Sequence, residues 1–255
     1  MDENVFNKIL KKIKIVNNNS SCKICGGLEW IYDKNKGYYR CLCFYKRLYK
    51  DREKILNIPK KYKNASFSFY KPKNLSQFAF FNILKEYALI YPFFPFSTNE
   101  NISHEKYILY IYGETGVGKT YLSIAFLNYL LKHKGISGYF IPFRDLLNEL
   151  RNRLGDKESF KDYFLDIKSK EILILDDVGA ERDTEFVRDI LFDILDYRYN
   201  NRKLTLITSN LSPKRLILRL SSDNFEDTSL GERLYSRLCE VGEFIYVEGK
   251  DERKL

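Results

Sequence analysis

From about residue 107 onward, apolar residues follow two patterns that alternate along the chain. Short apolar runs are separated by longer segments in which apolar residues recur every three or four positions. The short runs are typical of buried strands, and the longer segments of amphipathic helices. Strands that alternate with helices predict a parallel α/β sheet. We expect its strands at residues 107–112, 137–143, 171–177, 204–208 and 243–247.

The helical spacing of apolar residues also predicts where the helices lie. Asp183 carries a side chain suited to cap the fifth of them. Before the first helix, residues 59–73 are rich in aromatic side chains and are predicted to be extended. After that helix, residues 91–105 are predicted to form a loop. The predicted helices are at residues 77–91, 121–131, 144–153, 160–167, 184–199, 213–220 and 230–238.

The first 57 residues have a different pattern. Residues 5–13 predict a short amphipathic helix, and two aromatic segments, 30–32 and 38–40, flank a polar turn and predict a β-hairpin. Residues 44–55 interleave basic and aromatic side chains on a predicted helix, which either contacts nucleic acid or a partner protein or is a solvated face. We predict an interaction module for partner protein or DNA at residues 1–57 and a larger domain at residues 58–255.

Composition narrows the class of protein. The chain has 255 residues, of which 44% are hydrophobic and 30% charged, as in globular proteins in solution. No apolar run approaches the roughly 20 residues of a membrane span, and the start lacks a signal-peptide core, so we expect a cytoplasmic protein. The net charge of +9 favours nucleic acid as a partner, although a lysine-rich composition also arises from base-composition bias.

Four of the five cysteines lie between residues 22 and 43. They form a Cys-x₂-Cys knuckle followed by two glycines, and a Cys-x-Cys pair at the other end of the predicted hairpin. Four thiolates can close a tetrahedral zinc site that has no open position for catalysis. We predict a structural zinc site with Cys22, Cys25, Cys41 and Cys43 as ligands. The alternatives are reduced surface cysteines or a redox pair.

Residues 113–120 match the phosphate-binding P-loop pattern G-x-x-x-x-G-K-[ST]. A predicted strand precedes the loop and a predicted helix follows it, which points backbone N–H groups at phosphates. We expect Lys119 to reach the β- and γ-phosphates and Thr120 to ligate Mg²⁺. The alternative is a glycine turn that matches by chance. The predicted contacts of a nucleoside triphosphate are Gly113, Glu114, Thr115, Gly116, Val117, Gly118, Lys119, Thr120 and Tyr121.

Polar residues that follow two other predicted strands complete a site for phosphoryl transfer. Ligands of α/β sheets lie beyond the carboxyl ends of the strands, so Asp176 and Asp177 are expected beside the P-loop. Asp176 is suited to hold Mg²⁺ through water, and Asp177 to orient or deprotonate the attacking water. Asn210 can reach that water or the γ-phosphate. The alternative for Asp176 and Asp177 is a pair of acids at a strand end without a catalytic role. The alternative for Asn210 is a plain turn after a strand.

Two arginines, Arg233 and Arg237, lie four positions apart on one predicted helix. A catalytic arginine can come from a neighbouring subunit in such enzymes, and we prefer Arg237 for this role. The alternative is surface ion pairing.

Four motifs, GETGVGKT, ILILDDVGAE, ITSNL and ERLYSRL, occur in this order and resemble the AAA+ ATPases of the DnaC/DnaI helicase-loader and IstB group. DDVGAE is the most distinctive of them, and the amino-terminal cysteine pattern resembles the zinc module of loaders of the DnaI kind. The resemblance implies a five-stranded parallel sheet in the order 5-1-4-3-2, flanked by helices. Because the chain ends soon after its last predicted strand, we expect no helical lid.

The same resemblance implies roles for individual residues and three cofactors, ATP, Mg²⁺ and Zn²⁺. Lys119 and Thr120 correspond to Walker A, Asp176 and Asp177 to Walker B, Asn210 to sensor 1 and Arg237 to the trans-acting finger. Many AAA+ enzymes have Glu at the position of Asp177, so slow turnover is expected.

The resemblance also implies a function. We expect an ATPase that loads a hexameric replicative helicase onto single-stranded DNA and self-associates through a shared ATP site, without a membrane partner. Two alternatives stay open at this point: an IstB-like transposition helper that delivers a transposase to DNA, and a non-hydrolysing nucleotide switch or scaffold.

Overall fold

The structure is a computed structural model, and it describes residues 22–34, 37–44, 47, 54–92, 106–220 and 228–251. Only the backbone is described for residues 220 and 228–230. The predicted helix at residues 5–13, two thirds of the predicted helix at 44–55 and most of the predicted loop at 91–105 lie outside the described residues.

The chain divides into two compact units. The first comprises the residues up to 54 together with Leu130–Ile136. It contains the predicted hairpin, in which β1 (Trp30–Asp33) pairs antiparallel with β2 (Gly37–Arg40). The domain boundary predicted at residue 57 stays a prediction.

The second unit is built on a five-stranded parallel sheet. Its order is β4-β5-β6-β3-β7, which is 5-1-4-3-2 when these five strands are numbered along the chain and the sheet is viewed from its other edge. The predicted α/β class and strand order are therefore confirmed. The strands are β3 (Ile108–Gly113), β4 (Tyr139–Pro142), β5 (Leu173–Asp176), β6 (Thr205–Ser209) and β7 (Gly242–Val247).

The helices lie within a few residues of their predicted positions. None of those in the described part of the chain has both the length and the apolar character that a membrane crossing requires. They are α1 (Leu75–Ile90), α2 (Lys119–Lys134), α3 (Phe143–Arg151), α4 (Lys157–Ser169), α5 (Glu185–Asn200), α6 (Pro213–Leu220) and α7 (Thr228–Val241).

The predicted cap of α5 was wrong by one residue. Thr184 is the cap: its backbone is extended, with φ −141° and ψ 154°, and its side chain accepts a hydrogen bond from the N–H of Val187. Asp183 pairs instead with Arg188, at 3.3 Å. Both residue types can cap helices, so the helical phase, which sequence periodicity fixes only loosely, decides between them.

The extended conformation predicted for residues 59–73 was also wrong in part. Short 3₁₀ turns form at Lys60–Tyr62 and Phe67–Phe69. The turns let Phe67 pack edge-on against Phe81 of α1, with ring centroids 5.8 Å apart. Tertiary packing of the aromatic rings therefore outweighs the local extended pattern.

The central strands are buried on both faces, which explains why they appear in the sequence as continuous apolar runs. All five residues of β6 are buried, as are Leu109, Tyr110 and Ile111 of β3. Side chains of α3 and α5, among them Leu147 and Ile194, belong to the same core. This packing holds the carboxyl ends of β3, β5 and β6 in fixed positions.

A buried arginine ties the opposite, amino-terminal end of the sheet together. Arg198 of α5 has no exposed surface, and its guanidinium donates to the Thr205 hydroxyl at 2.6 Å. It also donates to backbone carbonyls before β5 and β6. These are the carbonyls of Lys168, Lys170, Glu171 and Leu204, at 3.0, 2.8, 3.4 and 2.6 Å.

Candidate nucleotide site and cysteine cluster

The P-loop connects β3 to α2, as the sequence predicts. Gly113, Gly116 and Gly118 have φ of 145°, 83° and 96°, which side chains with a Cβ rarely adopt. A Cβ at Gly113 would also overlap the carbonyl oxygen of Val247 on β7. The backbone conformation therefore requires glycine at these three positions, and at Gly113 the lack of space for a Cβ requires it as well.

Lys119 is the first residue of α2, and its ammonium group lies inside the loop. It donates to the carbonyl oxygens of Gly113 at 2.7 Å and Glu114 at 2.6 Å. It also donates to Oδ1 of Asn210 at 2.9 Å. The lysine therefore joins the P-loop to the end of β6.

Asp176, the last residue of β5, accepts hydrogen bonds from two hydroxyl groups. Thr120 of the P-loop donates at 2.7 Å and Thr208 of β6 at 2.6 Å, both to Oδ1. Burial raises the pKa of the Asp176 carboxyl, and the two hydroxyl donors act in the opposite direction. A partly buried carboxylate beside a threonine hydroxyl offers the oxygen ligands that Mg²⁺ prefers.

Asp177 is held by contacts to the same neighbouring strand. Its backbone has a φ of 59°, a left-handed conformation that Asp tolerates better than most residues. Its N–H donates to the Thr208 hydroxyl at 2.9 Å. Asn210 donates through Nδ2 to its carboxylate at 3.2 Å. The exposed carboxylate of Asp177 therefore has a defined direction.

These contacts join the ends of three adjacent strands, β3, β5 and β6, into one network. The members predicted from the sequence are Lys119, Thr120, Asp176, Asp177 and Asn210, and the structure brings all of them together. Their catalytic roles stay predictions. The network contains a nitrogen donor for phosphate, oxygen ligands for a cation and a carboxylate directed by an amide.

A second set of contacts supports the turn that follows Asp177. Gly179 donates its N–H to Oε2 of Glu181 at 3.1 Å. Arg219 of α6 donates to the carbonyl oxygens of Gly179 and Glu181. The Glu181 side chain is buried, with Oε1 lacking a hydrogen-bond partner among the described residues. Burial raises the pKa of its carboxyl, and the nearby charge of Asp177 adds to the increase.

A cleft of about 640 Å³ opens beside the P-loop and the acids of β5. Its other wall comes from the segment before α1, including Tyr62, Phe69 and Tyr70. The Tyr70 hydroxyl donates to the carbonyl oxygen of Val117 at 3.2 Å. A Cβ at Gly118 would come within 2.7 Å of the Tyr70 ring. The cleft therefore has an apolar, aromatic wall and a polar, charged floor.

The two candidate finger arginines lie on α7. Arg237 forms an ion pair with Asp196 of α5, and its guanidinium lies 5.2 Å from the ring centroid of Tyr199. Arg233 is exposed on the same helix. The structure thus gives Arg237 an intramolecular ion-pair partner and leaves its proposed action on a neighbouring subunit a prediction.

The four clustered cysteines come together at one end of the hairpin. Their sulfur atoms lie within 4.8 Å of one another, with 3.8 Å between Cys22 and Cys41 and 3.3 Å between Cys25 and Cys43. A tetrahedral site with Zn–S bonds of about 2.3 Å has sulfurs about 3.8 Å apart. Backbone hydrogen bonds of Cys25 and Ile24 lower the pKa of the Cys22 thiol to about 6. The cluster therefore fits a zinc site.

Sequence reasoning missed several residues of the nucleotide site. Thr208 bridges Asp176 and the N–H of Asp177, and its position near the end of a strand, two residues before Asn210, was the one available signal. Glu181 lay within the distinctive motif but received no role. Nothing in the local sequence points to Tyr70 or Arg219, because they reach the site from segments distant along the chain.

Comparison with known proteins agrees with this geometry. The family model described as IstB-like ATP binding protein matches residues 97–255. The crystal structure of the DnaC helicase loader superimposes with a TM-score of 0.57 and 33% sequence identity, covering 74% of this chain and 99% of that one. The predicted AAA+ fold is therefore confirmed.

Two curated relatives are similar in sequence. The replicative helicase loader DnaI of Bacillus subtilis (strain 168) is 31% identical over 153 residues, which are 57% of this chain and 47% of that protein. The replicative helicase loader DnaC of Buchnera aphidicola subsp. Acyrthosiphon pisum (strain APS) is 27% identical over 177 residues, covering 68% and 67%. The chain thus spans about half of the first relative and two thirds of the second.

Proposed function

The chain belongs to the IstB-like ATP-binding family, and on that premise we propose that it is an ATPase that loads a hexameric replicative helicase onto single-stranded DNA. One observation carries the proposal: a hydrogen-bonded network of Lys119, Thr120, Asp176, Asp177 and Asn210 on a chain similar to helicase loaders. The network supports ATP hydrolysis, and the similarity supports the choice of partner.

Each residue of the network has a separate task in the proposed reaction. Lys119 exchanges its loop carbonyls for phosphate oxygens and neutralises their charge. Thr120 and Asp176 would hold Mg²⁺, which supplies further neutralisation of the phosphates. Asp177 orients the attacking water and accepts its proton. Asn210 fixes the direction of the Asp177 carboxylate through its Nδ2 group.

We assign charge stabilisation from a neighbouring subunit to α7. Arg237 is our preferred finger, and it must exchange its ion pair with Asp196 for the phosphates of the neighbouring site. Arg233 needs no such exchange, because it is exposed on the same helix. Turnover measured with mixtures of wild type and either Arg233→Ala or Arg237→Ala distinguishes the two: the true finger variant inhibits mixed assemblies in proportion to its share.

The cysteine cluster has a structural role in this proposal. Zinc on Cys22, Cys25, Cys41 and Cys43 would hold the hairpin, and a site of four thiolates keeps no open position for chemistry. The hairpin then serves as the partner- or DNA-contacting module of the loader.

The name of the matching family model supports a second candidate function, an IstB-like transposition helper. The same ATP network would then regulate delivery of a transposase to DNA. The cysteine hairpin lies outside the matched residues 97–255, so that family match gives it no role. We therefore place this candidate second.

Affinity capture in the presence of ATP and single-stranded DNA tests both candidates. We expect a hexameric helicase to be retained with wild type and lost with Lys119→Ala. Asp177→Asn should retain the helicase but abolish ATP turnover, because it keeps the binding groups and removes the base. Capture of a transposase without helicase would select the second candidate. ATP binding without any turnover would instead indicate a nucleotide switch.

A further inference from the structure

The hairpin carries a row of aromatic side chains on one face. In its register Trp30 lies opposite Arg40 and Tyr32 lies opposite Tyr38. Because side chains alternate between the two faces of a strand, these four residues share one face. We call this set, Trp30, Tyr32, Tyr38 and Arg40, the ribbon face.

The ribbon face is open to solvent at one end and stacked at the other. Tyr32 and Tyr38 are 49% and 40% exposed, with their ring centroids 4.9 Å apart. The Arg40 guanidinium lies 4.0 Å from the ring centroid of Trp30 and 4.2 Å from that of Phe44. The Arg40 guanidinium is planar and lies between two rings, and the exposed rings of Tyr32 and Tyr38 lie on the same face. The ribbon face therefore presents several flat groups side by side.

The charge around the ribbon face is positive. The described residues between 22 and 54 include five Lys or Arg against two Asp or Glu. Lys23 and Lys34 are exposed. The ion pair of Glu29 with Arg47 at 2.5 Å cancels one charge of each sign, so the excess of positive charge remains. The positive charge therefore favours a polyanion as the partner of the ribbon face over a protein surface that is apolar and has few acids.

We propose that the ribbon face binds single-stranded DNA by stacking its bases on Tyr32, Tyr38 and Trp30. Aromatic rings with interleaved cations form the usual platform for unpaired bases, because every base has a face that can stack. Neighbouring positions on the face are two residues apart, about 6.7 Å, which equals about two base steps of 3.4 Å. The face therefore accommodates two or three nucleotides. The choice of DNA as the polynucleotide rests on the proposed loading function.

Trp30 makes the test direct, because it is the only tryptophan in the sequence. Titration of the zinc-bound full chain with a 12-nucleotide oligothymidylate should quench its fluorescence. The control ligand is an abasic strand of the same length, which keeps the phosphates and removes the bases. Quenching by oligothymidylate and not by the abasic strand supports stacking. Equal quenching by both would reduce the face to a charge patch and overturn the proposal.

Two double variants separate stacking from folding. Tyr32→Leu/Tyr38→Leu keeps apolar side chains and removes the rings, so affinity for oligothymidylate should fall at least about tenfold. Tyr32→Phe/Tyr38→Phe keeps the rings and should bind as wild type. A Leu variant with wild-type affinity and an intact zinc content would overturn the proposal. Lys23→Gln/Lys34→Gln should lower the slope of log affinity against log salt by about 0.7 for each phosphate that is no longer neutralised.

The titration is repeated with Lys119→Ala and without nucleotide, so that its result does not depend on the ATP site. Quenching that persists under these conditions supports the ribbon face even where helicase capture fails. If the helicase quenches Trp30 and oligothymidylate does not, the face is a protein docking surface and the proposal is wrong.

Discussion

The hairpin and the parallel sheet are held together by different means. In the sheet, all five residues of β6 are buried, whereas neither strand of the hairpin contains a fully buried residue. The buried apolar residues described in the hairpin region are Cys25 and Cys41. A two-stranded hairpin with so few buried residues among those described is marginal in water. We propose that zinc on the four cysteines supplies the stability that apolar packing gives the sheet.

The two regions are therefore suited to different functions. A rigid, packed sheet can hold five polar side chains in one network to within hydrogen-bond distances. A hairpin held by the proposed zinc site could expose aromatic rings, because its stability would not depend on covering them.

The largest expected effect comes from removing zinc. Cys41→Ser, or a strong chelator, should unfold the hairpin completely, because structural zinc contributes about 10–16 kcal/mol to such small modules. The main calorimetric transition, which reports the sheet, should not move. Trp30 fluorescence follows the hairpin in the same sample. Cys239→Ser is the matched control, since Cys239 is exposed and outside the cluster. Loss of both transitions together would show that the hairpin and the sheet do not unfold independently.

The reverse experiment acts on the sheet alone. Arg198→Met leaves several buried carbonyl oxygens without a donor, and we expect a loss of about 3–5 kcal/mol. This corresponds to a fall of about 10 °C in the midpoint of the main transition. Arg215→Met, at an exposed position on α6, should change the midpoint little. An unchanged midpoint in Arg198→Met would show that other donors replace the guanidinium.

A third variant is expected to change ATP binding and to leave the hairpin unchanged. Lys119→Ala should weaken ATP binding about 100-fold, through loss of two charge-assisted hydrogen bonds to phosphate. Binding is measured by isothermal titration calorimetry, with Lys161→Ala, an exposed residue of α4, as the control. Trp30 fluorescence and zinc content should stay as in wild type. A fall in zinc content would mean that the two units do not respond independently.

The smallest expected effect is at Glu181. A carboxyl whose pKa is raised by burial keeps its proton to higher pH than in the unfolded chain. The folded unit therefore loses stability as pH rises from the unfolded pKa through the raised value. Glu181→Gln should remove this loss and raise the melting midpoint near pH 7 by about 2 °C. Midpoints measured from pH 4 to 8 check it, with exposed Glu232→Gln as the control. A pH profile identical to wild type would contradict the burial argument.

Sequence patterns predicted the sheet and the network well for a common reason. Buried parallel strands are continuous apolar runs, and their carboxyl ends meet at one edge, so Asp176, Asp177 and Asn210 could be placed beside the P-loop without coordinates. The cysteine cluster was predictable because ligand spacing is a local property.

What sequence could not predict depends on contacts between distant segments. Thr208 became part of the site through the register of β6 against β5, which no local pattern records. The turns at Lys60–Tyr62 and Phe67–Phe69 follow from rings that pack on α1. The cap at Thr184 depended on the helical phase. In each case a neighbour far along the chain, or a shift of one residue, decided the outcome.

The position of Lys119 has a consequence for the order of events at the site. An ammonium group has three N–H bonds, and its acceptors here include the carbonyls of Gly113 and Glu114 and the amide oxygen of Asn210. An arriving phosphate must take over at least one of these bonds. If the phosphate replaces Asn210 as an acceptor, Asn210 keeps its hydrogen bond to Asp177 but loses its hydrogen bond to Lys119. Lys119 would thus hold Asn210 until a phosphate binds, and the phosphate would release Asn210 before water is activated.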